Sequence, residues 1–282
     1  MGGNIGRQSG GWVMSEYLLG HGQTEWSRLA EQHALWRDTL LDILPLTAGQ
    51  SVLEVGCGSG ALLADLADAV GPTGRCMGLE RDPDAVAVAQ GVAENRSWVS
   101  ITGGDLRTTD LGGPWDVIVA RWVLSFLPDP ADCITRLTKA LAPGGALVVQ
   151  DYNHDGVRLF PHSPAFTRTI EAYRAAYARQ GGDLWIAGSL PAMMSTAGLT
   201  VSTIDPQVKA GPPGSPVWRW VERFLFEHLG SISAEVAAPD YLSPAERDAL
   251  RAEWTAAAAG PGTVLFSPMQ VTVTGTRRGP RS

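Results

Sequence analysis

Lysine is nearly absent from this 282-residue chain: of 22 basic residues only Lys139 and Lys209 are lysines, and the arginines are scattered. Acidic residues number 29, which leaves a formal net charge of −7. Nucleic-acid binders ordinarily carry a basic patch or stripe, so no nucleic acid is expected as a partner. Cysteine is scarce as well. Cys57, Cys76 and Cys133 are odd in number and widely spaced, with no Cys-x-x-Cys pair. Neither a disulfide framework nor a zinc site follows from them, no metal is expected, and free thiols of this kind are ordinarily buried. No apolar run reaches the roughly 18–20 residues that span a bilayer, so no membrane is expected. Residues Met1–Gly11 lack an apolar leader segment, and the two absences together point to the cytoplasm.

What is present is material for a large core. Hydrophobic residues make up 44% of the chain. Its length exceeds the usual domain of roughly 100–200 residues but fits one α/β unit with insertions. Residues 24–44 carry Leu29, Leu35, Trp36, Leu40, Leu41 and Leu44 on one broad helical face, ended by Pro45. Short apolar strands then alternate with helices. Strands are expected at Ser51–Val55, Cys76–Leu79, Trp98–Thr102, Asp116–Ala120 and Ala146–Gln150. Helices are expected at Ala61–Val70, Pro83–Asn95 and Ala131–Leu141. Such alternation predicts a parallel sheet covered on both faces. The second half adds helices at Ser163–Gln180, Pro191–Ala197, Val217–Leu229 and Pro244–Ala259, and strands at Leu199–Ile204 and Val264–Thr274. Residues 153–190 and 209–260 are read as insertions that build a helical lid.

Residues 52–60, Val-Leu-Glu-Val-Gly-Cys-Gly-Ser-Gly, describe a strand that turns sharply into a helix. Glycine lets a ligand approach the main chain closely, and the tips of parallel strands are where ligands sit. Gly56, Gly58 and Ala61 also satisfy a dinucleotide fingerprint. Glu54 separates the two readings. A pyrophosphate is repelled by a carboxylate there, whereas an ammonium group gains a charge-assisted hydrogen bond. Glu80, after the second strand, suits ribose hydroxyls in either case. Asp105, after the third strand, can accept from an adenine amino group; a plain turn aspartate is the competing reading.

The ordered motifs Glu-Val-Gly-Cys-Gly-Ser-Gly (54–60), Gly-Leu-Glu-Arg-Asp (78–82), Gly-Gly-Asp-Leu (103–106) and Leu-Ala-Pro-Gly-Gly (141–145) resemble class I S-adenosylmethionine (SAM)-dependent methyltransferases over residues 50–152. The resemblance implies a Rossmann-like α/β fold with a seven-stranded, mostly parallel sheet. Its last strand is antiparallel, Leu199–Ile204 and Val264–Thr274 pair as strands six and seven, and helices lie on both faces. It implies that Glu54, Gly56, Cys57, Gly58 and Gly60 hold the methionine part of SAM. Glu80, beside Arg81, then takes the ribose, and Asp105 and Leu106, beside Gly104, take the adenine. Arg121 and Trp122 end the fourth strand and are expected to line the pocket; a tryptophan buried as plain core is the competing reading. Residues 17–21, Tyr-Leu-Leu-Gly-His, with Arg28, Leu29 and Gln32, further resemble bacterial methyltransferases related to the ubiquinone-biosynthesis type. There, such a segment folds over the cofactor. Residues 1–48 are accordingly expected to close over the site and 49–282 to form the methyltransferase domain. Tyr17 is placed near the sulfonium methyl, and Arg28 or Gln32 near the SAM carboxylate. Plain packing of a leading helix competes with both.

Methyl transfer depends chiefly on holding the nucleophile close and aligned. A hydroxyl acceptor also needs its proton removed. Candidate catalytic residues are Asp151 and His154, after the fifth strand, together with Tyr17; His162 and His21 rank lower, and His33 and His228 read as structural. Trp218, Trp220, Phe224 and Phe226 make residues 217–229 apolar all round, which indicates core packing, a homodimer contact or an apolar substrate pocket. The expected reaction is methylation of a small, partly apolar molecule, such as a secondary metabolite or quinone-like compound. A SAM-binding cyclase and an NAD-dependent oxidoreductase are the alternatives.

Overall fold

The computed structural model describes residues 23–228 and 242–279; Tyr17 and His21 lie outside the described residues. Seven strands form one central sheet. They are β1 (Ser51–Val55), β2 (Arg75–Glu80), β3 (Val99–Gly103), β4 (Trp115–Arg121), β5 (Leu141–Asn153), β7 (Leu199–Gln207) and β10 (Met269–Arg277). Their order is β3-β2-β1-β4-β5-β10-β7. Strands β1 to β5 run parallel, and β10 lies antiparallel to both β5 and β7. The expected Rossmann-like sheet with a reversed last strand is therefore present.

Three strands, β6 (Arg158–Phe160), β8 (Ala210–Gly211) and β9 (Val264–Phe266), form a second small sheet in the order β6-β9-β8. This corrects the continuous strand expected at Val264–Thr274. Ser267, fully buried, sits at the break between β9 and β10. Its N–H donates to the Lys209 carbonyl and its hydroxyl accepts from the Lys209 N–H. Pro268 follows with no N–H to give to a ladder. The chain thus changes sheets at these two residues.

Helices cover both faces: α1 (Gln23–Leu41), α2 (Ala61–Val70), α3 (Pro83–Ala93), α4 (Pro130–Ala140), α5 (Pro164–Arg179), α6 (Leu190–Thr196), α7 (Pro216–Arg223) and α8 (Pro244–Ala259). Five of them start the same way. Asp82, Ser163 and three similar residues, Asp129, Ser215 and Ser243, each accept a first-turn N–H through the side chain, and a proline follows. The cap satisfies an orphan donor, and proline presets φ where no N–H is needed. At α8 the cap is reciprocal, because Glu246 also reaches back to the Ser243 N–H.

Strand parity decides which side chains reach which layer, since successive residues point to opposite faces. Val52, Val117, Val119 and Val148 pack in one core with Leu62, Leu63, Leu66 and Ala89 of α2 and α3. Leu53, Ile118, Leu147 and Val149 pack in the other with Ile134 and Leu137 of α4 and Met194 of α6. A third core gathers side chains between Val157 and Leu265. There Trp254 of α8 stacks 6.1 Å from Phe166 of α5 and lies 4.1 Å from Trp218 of α7. The helix expected at Val217–Leu229 is α7 followed by a π-helical turn, Phe224–His228. Among the described residues no helix is long and apolar enough to cross a membrane.

Candidate functional site

The β1–α2 turn opens a cavity of about 820 Å³ at the parallel strand tips. This lies within the range of roughly 300–1,000 Å³ typical of small-ligand sites. Gly56 and Gly60 adopt φ of 66° and 89°. A Cβ on Gly56 would lie 2.4 Å from Val123 Cγ2, and one on Gly60 would lie 2.8 Å from Val92 Cγ2. Only glycine combines that backbone with that closeness. The Gly56 and Cys57 N–H groups both donate to the Leu79 carbonyl, which fastens the turn to β2. Glu80 fastens it again. One of its carboxylate oxygens accepts the Gly58 N–H at 2.8 Å; the other accepts from the Arg81 and Asp82 N–H groups.

Glu54 lines this cavity and is 3% exposed. Its Oε2 is buried without a hydrogen-bond partner. Burial pushes its carboxyl up to about 8, and the Arg121 guanidinium only partly offsets this. Arg121, at the end of β4, is its opposite in sign. Burial lowers the guanidinium to about 10, and its Nη1 is likewise buried without a partner. Its Nη2 donates to His33 Nδ1 at 2.8 Å, and His33 Nε2 meets Asp65 Oδ2 at 3.0 Å. Burial and Arg121 hold His33 near 4, so the ring is neutral at pH 7. Trp122, whose φ is 55°, places its ring 4.4 Å from the Arg121 guanidinium. Positive φ in a tryptophan is a local strain that is met at functional sites.

Asp105 lies at the tip of β3. The Arg107 side chain chelates both its oxygens, and the Arg107 N–H adds a further bond, which together hold the carboxyl down near 2. Gly104 and Leu106 flank it, and all three line the cavity with Arg81. Cys57 also lines it, although its thiol packs under β2, where a Cβ on Gly78 would meet it at 2.8 Å. Burial raises that thiol well above its ordinary range. Gly60 shapes the turn and is not among the lining residues.

On the other side, α1 supplies Arg28 and Gln32, both almost fully buried. Arg28 donates to Gln32 Oε1 at 2.7 Å, and Gln32 Nε2 donates to the Tyr152 hydroxyl at 2.7 Å. Tyr152, not singled out above, is what β5 delivers to the cavity. The fifth strand, expected to end at Gln150, continues to Asn153. Parity then separates neighbours. Tyr152 falls on the face of Val148 and Gln150, whereas Asp151 falls on the face of Val149.

Asp151 is wholly buried, outside the cavity lining. It accepts the Ser125 and Tyr152 N–H groups, while burial raises its carboxyl to about 6. It thus holds the turn after β4 in place. His154 also misses the large cavity. It lines a smaller one of about 40 Å³, which shares Arg28, Tyr152 and Tyr173 with the first. Arg174 donates to its Nδ1 and to its carbonyl, and burial drives the ring down to about 3. Neither side chain lines the large cavity, and His154 stands beside it in the smaller one. His162 meets Thr167 at the surface. Trp218 packs on Trp254, whereas Trp220 and Phe224 line the smaller cavity. Among the described residues no cluster of three His, Cys, Asp or Glu could hold a metal.

The arrangement suits an amino-acid nucleoside. A buried carboxylate and a buried guanidinium, each with an unused polar atom, match an α-ammonium and an α-carboxylate. A second carboxylate and a third close the far end at the tips of β2 and β3.

Comparison with known proteins gives the same answer. Residues 27–204 match a family model described as a methyltransferase domain. Demethylmenaquinone methyltransferase of Lactococcus lactis is 26% identical over 146 residues, which are 51% of this chain and 56% of that protein. Trans-aconitate 2-methyltransferase of Methylobacterium nodulans is 28% identical over 174 residues, 60% of this chain and 62% of that protein. The chain spans about half the length of the curated relatives it matches. A SAM-dependent methyltransferase from Aquifex aeolicus has the same fold, with a TM-score of 0.51 at 17% identity over 65% of this chain and 92% of that one.

Proposed function

The chain belongs to this methyltransferase-domain family, and from that premise we propose that it moves the methyl group of its cofactor, S-adenosylmethionine, to a small, partly apolar acceptor. The observation that carries this reading is the buried Glu54 carboxylate beside the glycine turn, with one oxygen unused. It favours a cationic amino-acid ligand over the dinucleotide that Gly56 and Gly58 alone would also suit. Bound there, SAM supplies an electrophilic methyl group on a cationic sulfur.

The remaining work belongs to the protein's own groups. Glu54 and Arg121 grip the amino-acid end, and the open main chain of residues 56–60 lets that end approach. Glu80 and Asp105 keep both the turn and the far wall in place. The lid and α1 exclude water, which strengthens each of these contacts. Phe126, Tyr152 and Tyr173 line the cavity on the side of β5 and α5, with Phe126 5.2 Å from Tyr177. These rings suit an apolar acceptor and hold it aligned, and positioning of that kind is a large part of the rate. The relatives named for demethylmenaquinone and trans-aconitate support an acceptor of small size. Tyr152, braced by Gln32, orients the acceptor; Asp151 and His154 act through the elements they hold.

The test is incubation of the full chain with SAM and a panel of quinone-like, phenolic and carboxylic acceptors. Release of S-adenosylhomocysteine with a one-methyl mass gain in an acceptor is the expected result. Acceptor turnover with no gain in mass contradicts methyl transfer and favours cyclisation.

A further inference from the structure

His33 read as a structural residue of α1, yet it ends a relay that starts inside the cofactor cavity. Arg121 Nη2 donates to His33 Nδ1 at 2.8 Å. Arg121 carries the permanent proton, so Nδ1 accepts and Nε2 holds the imidazole hydrogen. That hydrogen points to Asp65 Oδ2 on α2 at 3.0 Å. Arg37 pins Asp65 in turn, meeting its Oδ1 at 2.7 Å. The relay therefore runs across three elements, β4, α1 and α2, and it fixes one edge of the guanidinium.

The other edge is left over. Arg121 Nη1 is buried without a partner, as is Glu54 Oε2 on the neighbouring strand. The register of β1 and β4 puts Val55 opposite Ala120, so Glu54 and Arg121 end adjacent strands. Parity puts them on one face, with Val52 and with Val117 and Val119. Two unused, buried groups at one cavity wall, a guanidinium and a carboxyl that ionises against an ammonium, form a receptor for a zwitterion.

We propose that His33, backed by Asp65, is a positioning residue that presents Arg121 Nη1 to the α-carboxylate of the bound cofactor, so that the chain selects ligands with a free amino-acid end. This rests on the reading of the cavity as a SAM site. A neutral acceptor at Nδ1 suits the task. It anchors the guanidinium without cancelling its charge, whereas a carboxylate in that place would.

Calorimetric titration of the full chain with S-adenosylhomocysteine, its α-carboxyl methyl ester and 5′-methylthioadenosine tests the proposal. Wild type is expected to prefer the free acid over the ester by about tenfold or more, the scale of one charge-assisted hydrogen bond. His33→Ala is expected to erase that preference while 5′-methylthioadenosine, which has no amino-acid end, binds as before. His33→Asn, which keeps an acceptor near the place of Nδ1, is expected to restore most of it. Equal losses for all three ligands in His33→Ala would mark His33 as a mere support of α1 and overturn the proposal. Equal binding of acid and ester by wild type overturns it with no variant needed. Wild type that binds none of the three overturns the SAM reading beneath it.

Discussion

Replacing Glu54 by glutamine changes two measurable quantities in opposite directions. The variant keeps the side chain's volume and removes its charge. In the free protein burial raises the Glu54 carboxyl from 4.5 to about 8. A pKa raised on folding means that the stability is fully present below 4.5 and is lost as pH rises through 8. The shift corresponds to a cost on the order of 5 kcal/mol for the ionised form at high pH, a ceiling that relaxation and water entry will lower. Wild-type chain without ligand is therefore expected to lose stability between pH 5 and pH 9 relative to Glu54→Gln. At roughly 2–4 °C per kcal/mol for a chain of this size the gap is easily read by thermal denaturation. Binding responds the other way. Glu54→Gln is expected to weaken S-adenosylhomocysteine by about 1.5–3 kcal/mol, the worth of a hydrogen bond to a charged group. Wild-type affinity should climb as pH rises towards 8, because the ammonium pairs with the ionised carboxylate, and the variant should lack that climb. Parallel melting curves of the two proteins across pH 5–9, with no difference in ligand affinity, would refute the reasoning.

Three further substitutions address the surroundings. Gly60→Ala puts a Cβ 2.8 Å from Val92 at a φ of 89°; it should cost about 1–3 kcal/mol of stability and abolish ligand-induced stabilisation in a thermal shift. Tyr152→Phe removes the acceptor of the Gln32 Nε2 hydrogen bond and should lower turnover while leaving S-adenosylhomocysteine affinity within about fivefold, since the lost bond is worth at most about 1 kcal/mol and lies on the acceptor side. Asp151→Asn turns an acceptor of two backbone N–H groups partly into a donor. It should destabilise the chain by about 1–3 kcal/mol in chemical denaturation, and an unchanged midpoint would dismiss its role in holding the turn after β4.

The β1–α2 turn was legible because everything it needs is local. Ser51–Val55 and Ala61–Val70 are strand and helix with those very bounds, and glycines with an acid two residues before them advertise the ligand. Strand tips were equally plain, so Glu80, Asp105 and Arg121 could be placed on the cavity. Parity was harder. A fifth strand that ends at Gln150 puts Asp151 and His154 beyond the sheet, whereas three more residues of strand turn Tyr152 inward and Asp151 away. His33 gave no local sign, because its partner Arg121 is 88 residues distant and meets it only once α1 is laid across β4. Arg107 on Asp105 was closer to hand, at a spacing of two, as a turn aspartate with a basic neighbour. The switch of sheets at Ser267–Pro268 was marked by the proline inside an otherwise strand-like run.

Titration of the full chain with S-adenosylhomocysteine and, in parallel, NADH bears most directly on the central claim, that a buried acid beside the glycine turn receives a charged amino-acid nucleoside. One saturable site for S-adenosylhomocysteine, greatly weakened in Glu54→Gln, with no heat from NADH, is the predicted result. Binding of NADH alone, or S-adenosylhomocysteine binding indifferent to Glu54, would contradict it.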